Sequence, residues 1–248
     1  MKHLIAVTGF VLATVRVFAG APAAISTALQ DSHRPATQIA LDHFRMPEAL
    51  LQFTGLKPGE RIADFMSGSG YFTRIFSLIV GPRGHIYAVL PAEQLAQCSP
   101  DEVAGTESLE HDPYFSNVSV VRMSAQQFAV PAALDAVWLS QGYHDLHNQF
   151  MRPTDVARFN AAVFRSLKNG GVFVIVDHVA EAGSGLRDTD TLHRIDPAIV
   201  RKEVTEAGFV LEAESQALRN PADTHRLPVF DPSIRHKTDQ FTFKFRKP

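Results

Sequence analysis

Hydrophobic positions along the chain follow two different spacings. Short runs of consecutive apolar residues are typical of buried strands, and apolar positions three or four residues apart are typical of one helix face. The first clear pair is a run that closes on Asp64, followed by helical spacing from Phe72 to Ile79. Further strands are predicted at 85–90, 118–121, 134–139, 172–176, 209–214 and 241–246.

The order of these elements predicts the fold class. The run at 172–176 is apolar throughout, which is typical of a parallel strand covered on both faces. The segment 241–246 alternates strictly and predicts an antiparallel closing strand. We therefore predict an α/β, Rossmann-like open sheet of about seven strands, mostly parallel, with helices on both faces. A helical segment at 37–53, restarted at Pro47, is predicted to form a lid over the ligand-binding end of the sheet.

The turn after the first strand carries the first candidate chemistry. Asp64 ends the strand, and the turn contains Ser67, Gly68 and Gly70. Glycine tolerates positive φ and lets a ligand come close to the backbone, because no Cβ is in the way. A strand, a small-residue turn and a helix start also form the first unit of nucleotide-binding sheets. Two glycines alone are equally compatible with a tight turn that binds nothing.

Composition narrows the class of partner. The chain has 248 residues, of which 45% are hydrophobic and 20% charged, which are ordinary values for one soluble α/β domain. The formal net charge of −2 shows no basic surplus, so a nucleic-acid partner is not predicted. Cys98 is the single cysteine, which excludes an intrachain disulfide and a cysteine-based metal site.

The N-terminus predicts export. A short basic start precedes a mostly apolar run at 4–15, and small residues at 19–24 suit a signal-peptidase site. Arg16 interrupts the pattern, and the run is shorter than the roughly 20 apolar residues of a membrane span. We predict a signal peptide at 1–23, a single domain at 24–248 and a periplasmic or secreted protein. The alternatives are an uncleaved interfacial anchor and a buried first helix.

Several motifs occur together in a recognisable order. They are Ala63-Asp64 with Gly68 to Thr73, Gly81 to Val89, Gly142 to Asp145, His193 to Pro197, Ala207 to Phe209, Lys237 to Phe241 and Phe245 to Pro248. In this combination the chain resembles the class I S-adenosylmethionine-dependent methyltransferases. More narrowly, it is similar to a family of bacterial methyltransferases that often carry export signals. The resemblance spans 39–248, nearly all of the mature chain.

The resemblance implies S-adenosylmethionine as the cofactor and a small molecule as the methyl acceptor. It also implies that Asp64, Ser67, Gly68 and Gly70 form the loop beneath the amino-acid part of the cofactor. The residue types agree with this role. Backbone N–H groups at a helix start attract a carboxylate, and Asp64 can attract an ammonium group.

Two positions depart from the family pattern. Met66 stands where the family loop has its first glycine, so its side chain is expected to crowd the bend. Leu90 and Pro91 stand where the family has the carboxylate that binds the ribose hydroxyls, and neither side chain can accept a hydrogen bond. Glu93 is the nearest carboxylate and is the predicted substitute. The alternative is weak ribose recognition.

The predicted catalytic residues follow the fourth strand. Substrates of open α/β sheets bind outside the carboxyl ends of the strands, where Tyr143, His144 and Asp145 lie. We predict His144 as the base that deprotonates the acceptor, because the pKa of histidine lies near neutrality. Asp145 would orient His144 or hold the substrate, and Tyr143 would contact the cofactor or the acceptor. The alternative is that His144 and Asp145 only cap the next helix.

A metal site is not predicted. Asp177 and His178, at the end of the fifth strand, could converge on His144, Asp145 and His147. The spacing of these residues is not a ligand signature, so polar residues lining a strand end are the favoured interpretation.

Three functions remain open. The leading prediction is an S-adenosylmethionine-dependent methyltransferase that acts on a small molecule. The alternative is an exported ligand-binding protein that keeps the fold without catalysis, which the residues Leu90 and Pro91 favour. The third is a nicotinamide-dependent reductase, which is weaker because the loop lacks full G-x-G-x-x-G spacing and no Tyr-x-x-x-Lys pair follows the fourth strand.

Overall fold

The computed structural model describes residues 20–152 and 154–248, and seven strands in this part of the chain form one sheet. Each strand predicted from an apolar run is present. The strands are β1 (Arg61–Phe65), β2 (His85–Pro91), β3 (Val118–Met123), β4 (Leu134–Ser140), β5 (Leu167–His178), β6 (Val210–Ser215) and β7 (Gln240–Arg246).

The strand order is β3-β2-β1-β4-β5-β7-β6. Strands β1 to β5 pair in parallel, and β7 runs antiparallel to both β5 and β6. The order reverses between β1 and β4, so the carboxyl ends of these neighbours flank the crevice where open α/β sheets bind ligands. This arrangement confirms the predicted Rossmann-like sheet with an antiparallel C-terminal strand.

Helices connect the strands and cover the sheet. Those in the described residues are α1 (Gly20–Leu29), α2 (Ala36–Ile39), α3 (Asp42–Arg45), α4 (Pro47–Thr54), α5 (Tyr71–Val80), α6 (Pro100–His111), α7 (Val156–Ser166), α8 (Thr189–Leu192) and α9 (Pro197–Glu206). The segment predicted as one helix with a restart is three short helices. Met46 takes a left-handed conformation before Pro47, because proline disfavours the α region for the preceding residue.

The core has two layers because successive strand residues point to opposite faces of the sheet. One buried cluster joins Phe65 and Phe173 to the inner faces of α7 and α9. The other joins Trp138 to α1, α4 and α5. Trp138 is 1% exposed and packs against Phe72, with ring centroids 4.7 Å apart, so it belongs to the core.

The N-terminal helices pack beside the loop between β1 and α5. Ile25 and Ala28 of α1 are buried in the same cluster as α5. The hydroxyl of Tyr71, the first residue of α5, donates a hydrogen bond to Asp42 of α3 at 2.6 Å. These contacts place α1 and α3 beside the loop, and a lid formed by 37–53 stays a prediction.

Most of the predicted signal peptide lies outside the described residues. Of 1–23, only 20–23 are described, and they form the start of α1. Among the helices that the structure describes, none combines the length and the apolar character needed to cross a bilayer.

Candidate functional site

The loop between β1 and α5 is bent by three residues with left-handed backbone. Met66, Gly68 and Gly70 have φ of 59°, 55° and 77°. Met66 therefore adopts the conformation suited to the glycine it replaces, which costs about 1–2 kcal/mol for a residue with a Cβ. Its sulfur lies over Gly142, where an added Cβ would be only 2.6 Å away. The bend thus accommodates Met66, because its side chain packs against Gly142, which has no side chain of its own.

Side chains from neighbouring elements hold this loop in shape. The Thr106 hydroxyl donates to the Gly68 carbonyl at 2.6 Å. The Gln38 amide and the Arg74 guanidinium donate to the Ser69 carbonyl at 3.0 and 2.7 Å. The loop is therefore organised before a ligand arrives, which lowers the ordering cost of binding.

The loop has both room and polar groups for the predicted cofactor. Ser67 Oγ is buried and has no hydrogen-bond partner among the described residues. A buried hydroxyl left unpaired costs roughly 1–3 kcal/mol, which a ligand could recover. A Cβ added at Gly68 would meet no atom within 4 Å. An unpaired oxygen next in the chain to a glycine with open space around it is compatible with the amino-acid part of S-adenosylmethionine.

Asp64 is the last but one residue of β1 and is 3% exposed. The Thr73 hydroxyl donates to it at 2.6 Å. Burial raises the pKa of Asp64 from 3.8 to about 7, because the bond from Thr73 and the attraction of Arg45 offset only part of the desolvation. A cationic group beside Asp64 would favour the ionised carboxylate, and the predicted cofactor carries an ammonium group.

This pKa predicts a pH dependence of stability. Between pH 3.8 and about 7 the folded protein keeps a proton on Asp64 that the unfolded chain has released, so the free energy of unfolding falls as pH rises. The loss is about 1.4 kcal/mol for each unit of pKa difference. Asp64→Asn should remove this pH dependence. In urea unfolding, the free energy of unfolding of the variant relative to the native chain should therefore rise between about pH 4 and about pH 8. A difference that stays constant with pH would contradict this assignment.

The predicted ribose position is apolar, and Glu93 has partners of its own. Leu90 is 1% exposed and lies in the core. The Glu93 carboxylate accepts hydrogen bonds from the Ser124 hydroxyl and from the backbone N–H of Ala125, the latter at 3.1 Å. Glu93 thus ties the end of β2 to the turn after β3. Its contact with ribose stays a prediction, and it would require these bonds to be shared or exchanged.

The residues after β4 form a cluster with the end of β5 and with the segment after α8. The ring N–H of His144 at Nδ1 donates to Asp177 at 2.8 Å, and its backbone N–H donates to the same carboxylate at 2.8 Å. Its Nε2 lies 3.1 Å from Asp145 Oδ1 and 3.3 Å from His193 Nδ1. The structure therefore brings together His144 and Asp145, as predicted, and adds Asp177 and His193.

The two carboxylates control the charge of His144. Burial disfavours the imidazolium, but Asp177 and Asp145 outweigh it and raise the pKa of His144 from 6.5 to about 10. Burial likewise disfavours the charge of Asp145, yet His144 and His193 lower its pKa to about 2. A general base must be unprotonated at the working pH, so this pKa argues against the base role predicted for His144. It favours a positioning role instead.

Tyr143 has partners within the protein. Its side chain is fully buried in the core. The hydroxyl donates to Glu203 at 2.9 Å and accepts from Asn160 at 2.8 Å. The side chain links the turn after β4 to α7 and α9, and its contact with cofactor or acceptor stays a prediction.

A cavity of about 340 Å³ opens at the carboxyl ends of β4 and β5. A larger one of about 480 Å³ lies beside α7, lined by residues of 126–133 and of α7 without a histidine or a carboxylate. We take the smaller cavity as the candidate acceptor site because the titratable cluster lies in its wall. Its lining includes Gln141, His144, Asp145, His178, His193 and Phe230.

Arg194, next to His193, is fully buried. A guanidinium at this position can pair with an anionic substrate or with a carboxylate of the chain. In the structure its guanidinium lies 2.9 Å from Asp223, and it donates to the carbonyls of Val179 and Leu227 at 2.9 Å each. Arg194 thus pairs with a carboxylate and fixes the segment that carries His193.

Known proteins are similar in sequence to this part of the chain. A family model for protein-L-isoaspartate(D-aspartate) O-methyltransferase matches residues 26–152, which include the β1–α5 loop and His144. The ubiquinone/menaquinone biosynthesis C-methyltransferase UbiE of Vibrio cholerae is 28% identical over 196 residues. That alignment covers 77% of this chain and 63% of the relative, so the chain spans less than two thirds of that relative's length.

Solved structures share the fold at low sequence identity. A SAM dependent methyltransferase from Aquifex aeolicus has a TM-score of 0.58 at 16% identity, covering 90% of this chain and 97% of that chain. The [4+2]-cyclase SpnF has a TM-score of 0.59 at 19% identity, covering 88% of this chain and 84% of that chain. At these identities the likeness concerns the fold alone.

Proposed function

The chain belongs to the protein-L-isoaspartate(D-aspartate) O-methyltransferase family, and from this premise we propose that it methylates a small molecule held in the cavity beside His144. Family membership supports the prediction of an S-adenosylmethionine-dependent methyltransferase and of its cofactor. The acceptor and the roles of the individual residues are the content of the proposal.

The observation that carries the proposal is that the loop and the cavity adjoin. The Met66 sulfur packs over Gly142, and Gln141, the residue before it, lines the cavity. A donor in the loop and an acceptor in the cavity would therefore be neighbours. Holding two reactants side by side is the main requirement of a displacement reaction.

The loop residues would hold the cofactor by its amino-acid part. Asp64 would pair with the ammonium group, and the unpaired Ser67 hydroxyl would hydrogen-bond the ligand. Gly70 precedes the ten-residue helix α5, whose N-terminus attracts a carboxylate. When bound, S-adenosylmethionine supplies an electrophilic methyl group on a sulfonium.

The cavity limits the size and character of the acceptor. Its volume of about 340 Å³ is at the lower end of the roughly 300–1,000 Å³ typical of small-molecule sites. Burial lowers the pKa of His178 to about 3, so this residue offers a neutral imidazole to the acceptor. Phe150 and Phe230 add apolar wall. The charged residues His144 and Asp145 also line the cavity, so a compact molecule with both apolar and polar groups fits it.

His144 and Asp145 would position the acceptor in this proposal. His144 is locked by two bonds to Asp177, and Asp145 accepts a hydrogen bond from Asn148 at 2.9 Å. Fixed side chains of this kind orient a reactant more precisely than mobile ones. Proton removal by His144 would require the pKa of its imidazolium to fall when the site is filled.

A second candidate is a ligand-binding protein without catalysis. The buried Leu90 at the ribose position favours it, because no acceptor for the ribose hydroxyls stands there. Saturable binding of S-adenosylmethionine, with no methyl transfer to a panel of phenols, amines and carboxylic acids, would support this candidate over an enzyme.

Calorimetric titration with S-adenosylmethionine tests the cofactor site through Ser67→Ala. The hydroxyl has no partner in the ligand-free protein, so its removal should leave the unfolding temperature unchanged or raise it. Binding should weaken about tenfold, since a net hydrogen bond contributes about 1 kcal/mol and bonds to charged groups more.

Ser184→Ala is the matched control. Its hydroxyl is also buried without a partner among the described residues, but it lies in the segment before α8. Equal affinities of the two variants would remove Ser67 from the cofactor site. Failure of the folded native protein to bind S-adenosylmethionine would contradict the proposed function.

A further inference from the structure

We propose that His144, Asp145 and His193 form a binding site for a divalent transition-metal ion. One ligand atom from each residue lies within 3.7 Å of the other two. The Nε2 of His144 lies 3.1 Å from Asp145 Oδ1 and 3.3 Å from His193 Nδ1, and the last two atoms are 3.7 Å apart. Two imidazole nitrogens and one carboxylate oxygen are a donor set that zinc and its neighbours in the first transition row accept.

The triangle has the size of one face of a tetrahedral site. Zinc binds imidazole nitrogen and carboxylate oxygen at about 2.0–2.2 Å, so the corners of a tetrahedron around it lie about 3.3–3.5 Å apart. The three observed separations, 3.1, 3.3 and 3.7 Å, fall on both sides of that value. An ion could therefore enter without a rearrangement of the backbone, and it would displace the proton on the Nε2 of His144 to solvent.

The surroundings resemble the supporting shell of a metal site. Metal-binding histidines usually donate their second ring N–H to a carboxylate, which fixes the tautomer and the ring orientation. His144 does so through its Nδ1 to the fully buried Asp177. Asp177 is itself held by the backbone N–H groups of His144 and His178, both at 2.8 Å. Asp145 and Asp177 together carry the two negative charges that balance a divalent cation.

His193 is held in place at a conformational cost. It has φ 53° and ψ 48°, a left-handed conformation that is uncommon outside glycine. Such strain persists where the surrounding structure imposes it, and it concentrates at functional sites. Arg194, the residue that follows, is buried and paired with Asp223 at 2.9 Å, which holds the chain on this side of His193.

The fourth position of the ion would open into the cavity that all three ligands line. Three protein ligands with an open position are typical of catalytic rather than structural zinc sites. An acceptor oxygen bound there would be polarised by the ion. This last role rests on the proposed function, whereas the metal site itself does not.

Zinc titration of the chelator-treated full chain, without S-adenosylmethionine, tests the site. We expect one zinc ion per chain, and an intense visible spectrum typical of four-coordinate cobalt when Co²⁺ is used instead. His193→Ala and Asp145→Asn each remove a ligand and should weaken binding by more than the roughly 10–100-fold typical of changes in the supporting shell. Thermal unfolding checks that each variant is folded, and His193, whose side chain is 31% exposed, should tolerate substitution.

His111→Ala is the control, because His111 is exposed at the end of α6 and outside the cluster. It should bind zinc as the native chain does. No zinc binding by the native chain, or equal binding by the native chain and His193→Ala, would overturn the proposal. Zinc binding without S-adenosylmethionine binding would leave this site in place and remove the proposed function.

Discussion

Arg194→Met is expected to lower the free energy of unfolding by about 3–5 kcal/mol, the cost of breaking a buried ion pair from one side. Arg194 and Asp223 have side chains 0% and 1% exposed, and the guanidinium lies 2.9 Å from the carboxylate. Methionine fills much of the volume but leaves the charge of Asp223 uncompensated. The carbonyls of Val179 and Leu227 also lose a donor. Urea unfolding at neutral pH measures the loss.

Two further variants identify the cause of this loss. Arg122→Met removes an ion pair with Glu107 whose side chains are 44% and 41% exposed, so it should cost no more than about 1 kcal/mol. Arg194→Met combined with Asp223→Leu should recover part of the stability, because it removes the stranded charge. If the double variant lost as much free energy of unfolding as the two single variants together, lost packing and not the unpaired charge would be the cause.

The fold could be predicted because the hydrophobic pattern of a few neighbouring residues indicates which faces of a strand are buried. The run at 172–176 lies in β5 between two neighbouring strands, and its side chains are buried on both faces. The strict alternation at 241–246 correctly predicts the antiparallel β7. Each of these patterns depends on residues a few positions apart. No knowledge of distant partners was needed.

The site could be predicted only in part because its contacts are distant in the chain. His144 and Asp145 are adjacent, and their position after β4 was a sufficient signal. His193 lies 49 positions from His144, and only the turn that Arg194 fixes brings it there. The orientation of Tyr143 depends on Glu203, 60 positions away. The pKa of His144 could not be predicted for the same reason, because it depends on Asp177, a residue of β5.

Gly68→Val is expected to weaken the binding of S-adenosylmethionine by at least about 100-fold, or roughly 2.7 kcal/mol. In the ligand-free protein a Cβ at this position would meet nothing within 4 Å. The new side chain would therefore occupy the open space in which the ligand is proposed to lie. Calorimetric titration of the native chain and the variant measures the change in affinity.

Backbone strain must be separated from steric exclusion, and Gly55→Val does this. Gly55 has φ 76° and Gly68 has φ 55°, and neither would bring an added Cβ within 4 Å of another atom. Both substitutions should therefore cost about 1–2 kcal/mol of stability through the left-handed backbone. Gly55 lies at the end of α4, away from the loop, so its variant should bind S-adenosylmethionine as the native chain does. If both variants lost affinity equally, strain would be the cause, and the space beside Gly68 would no longer mark the cofactor site.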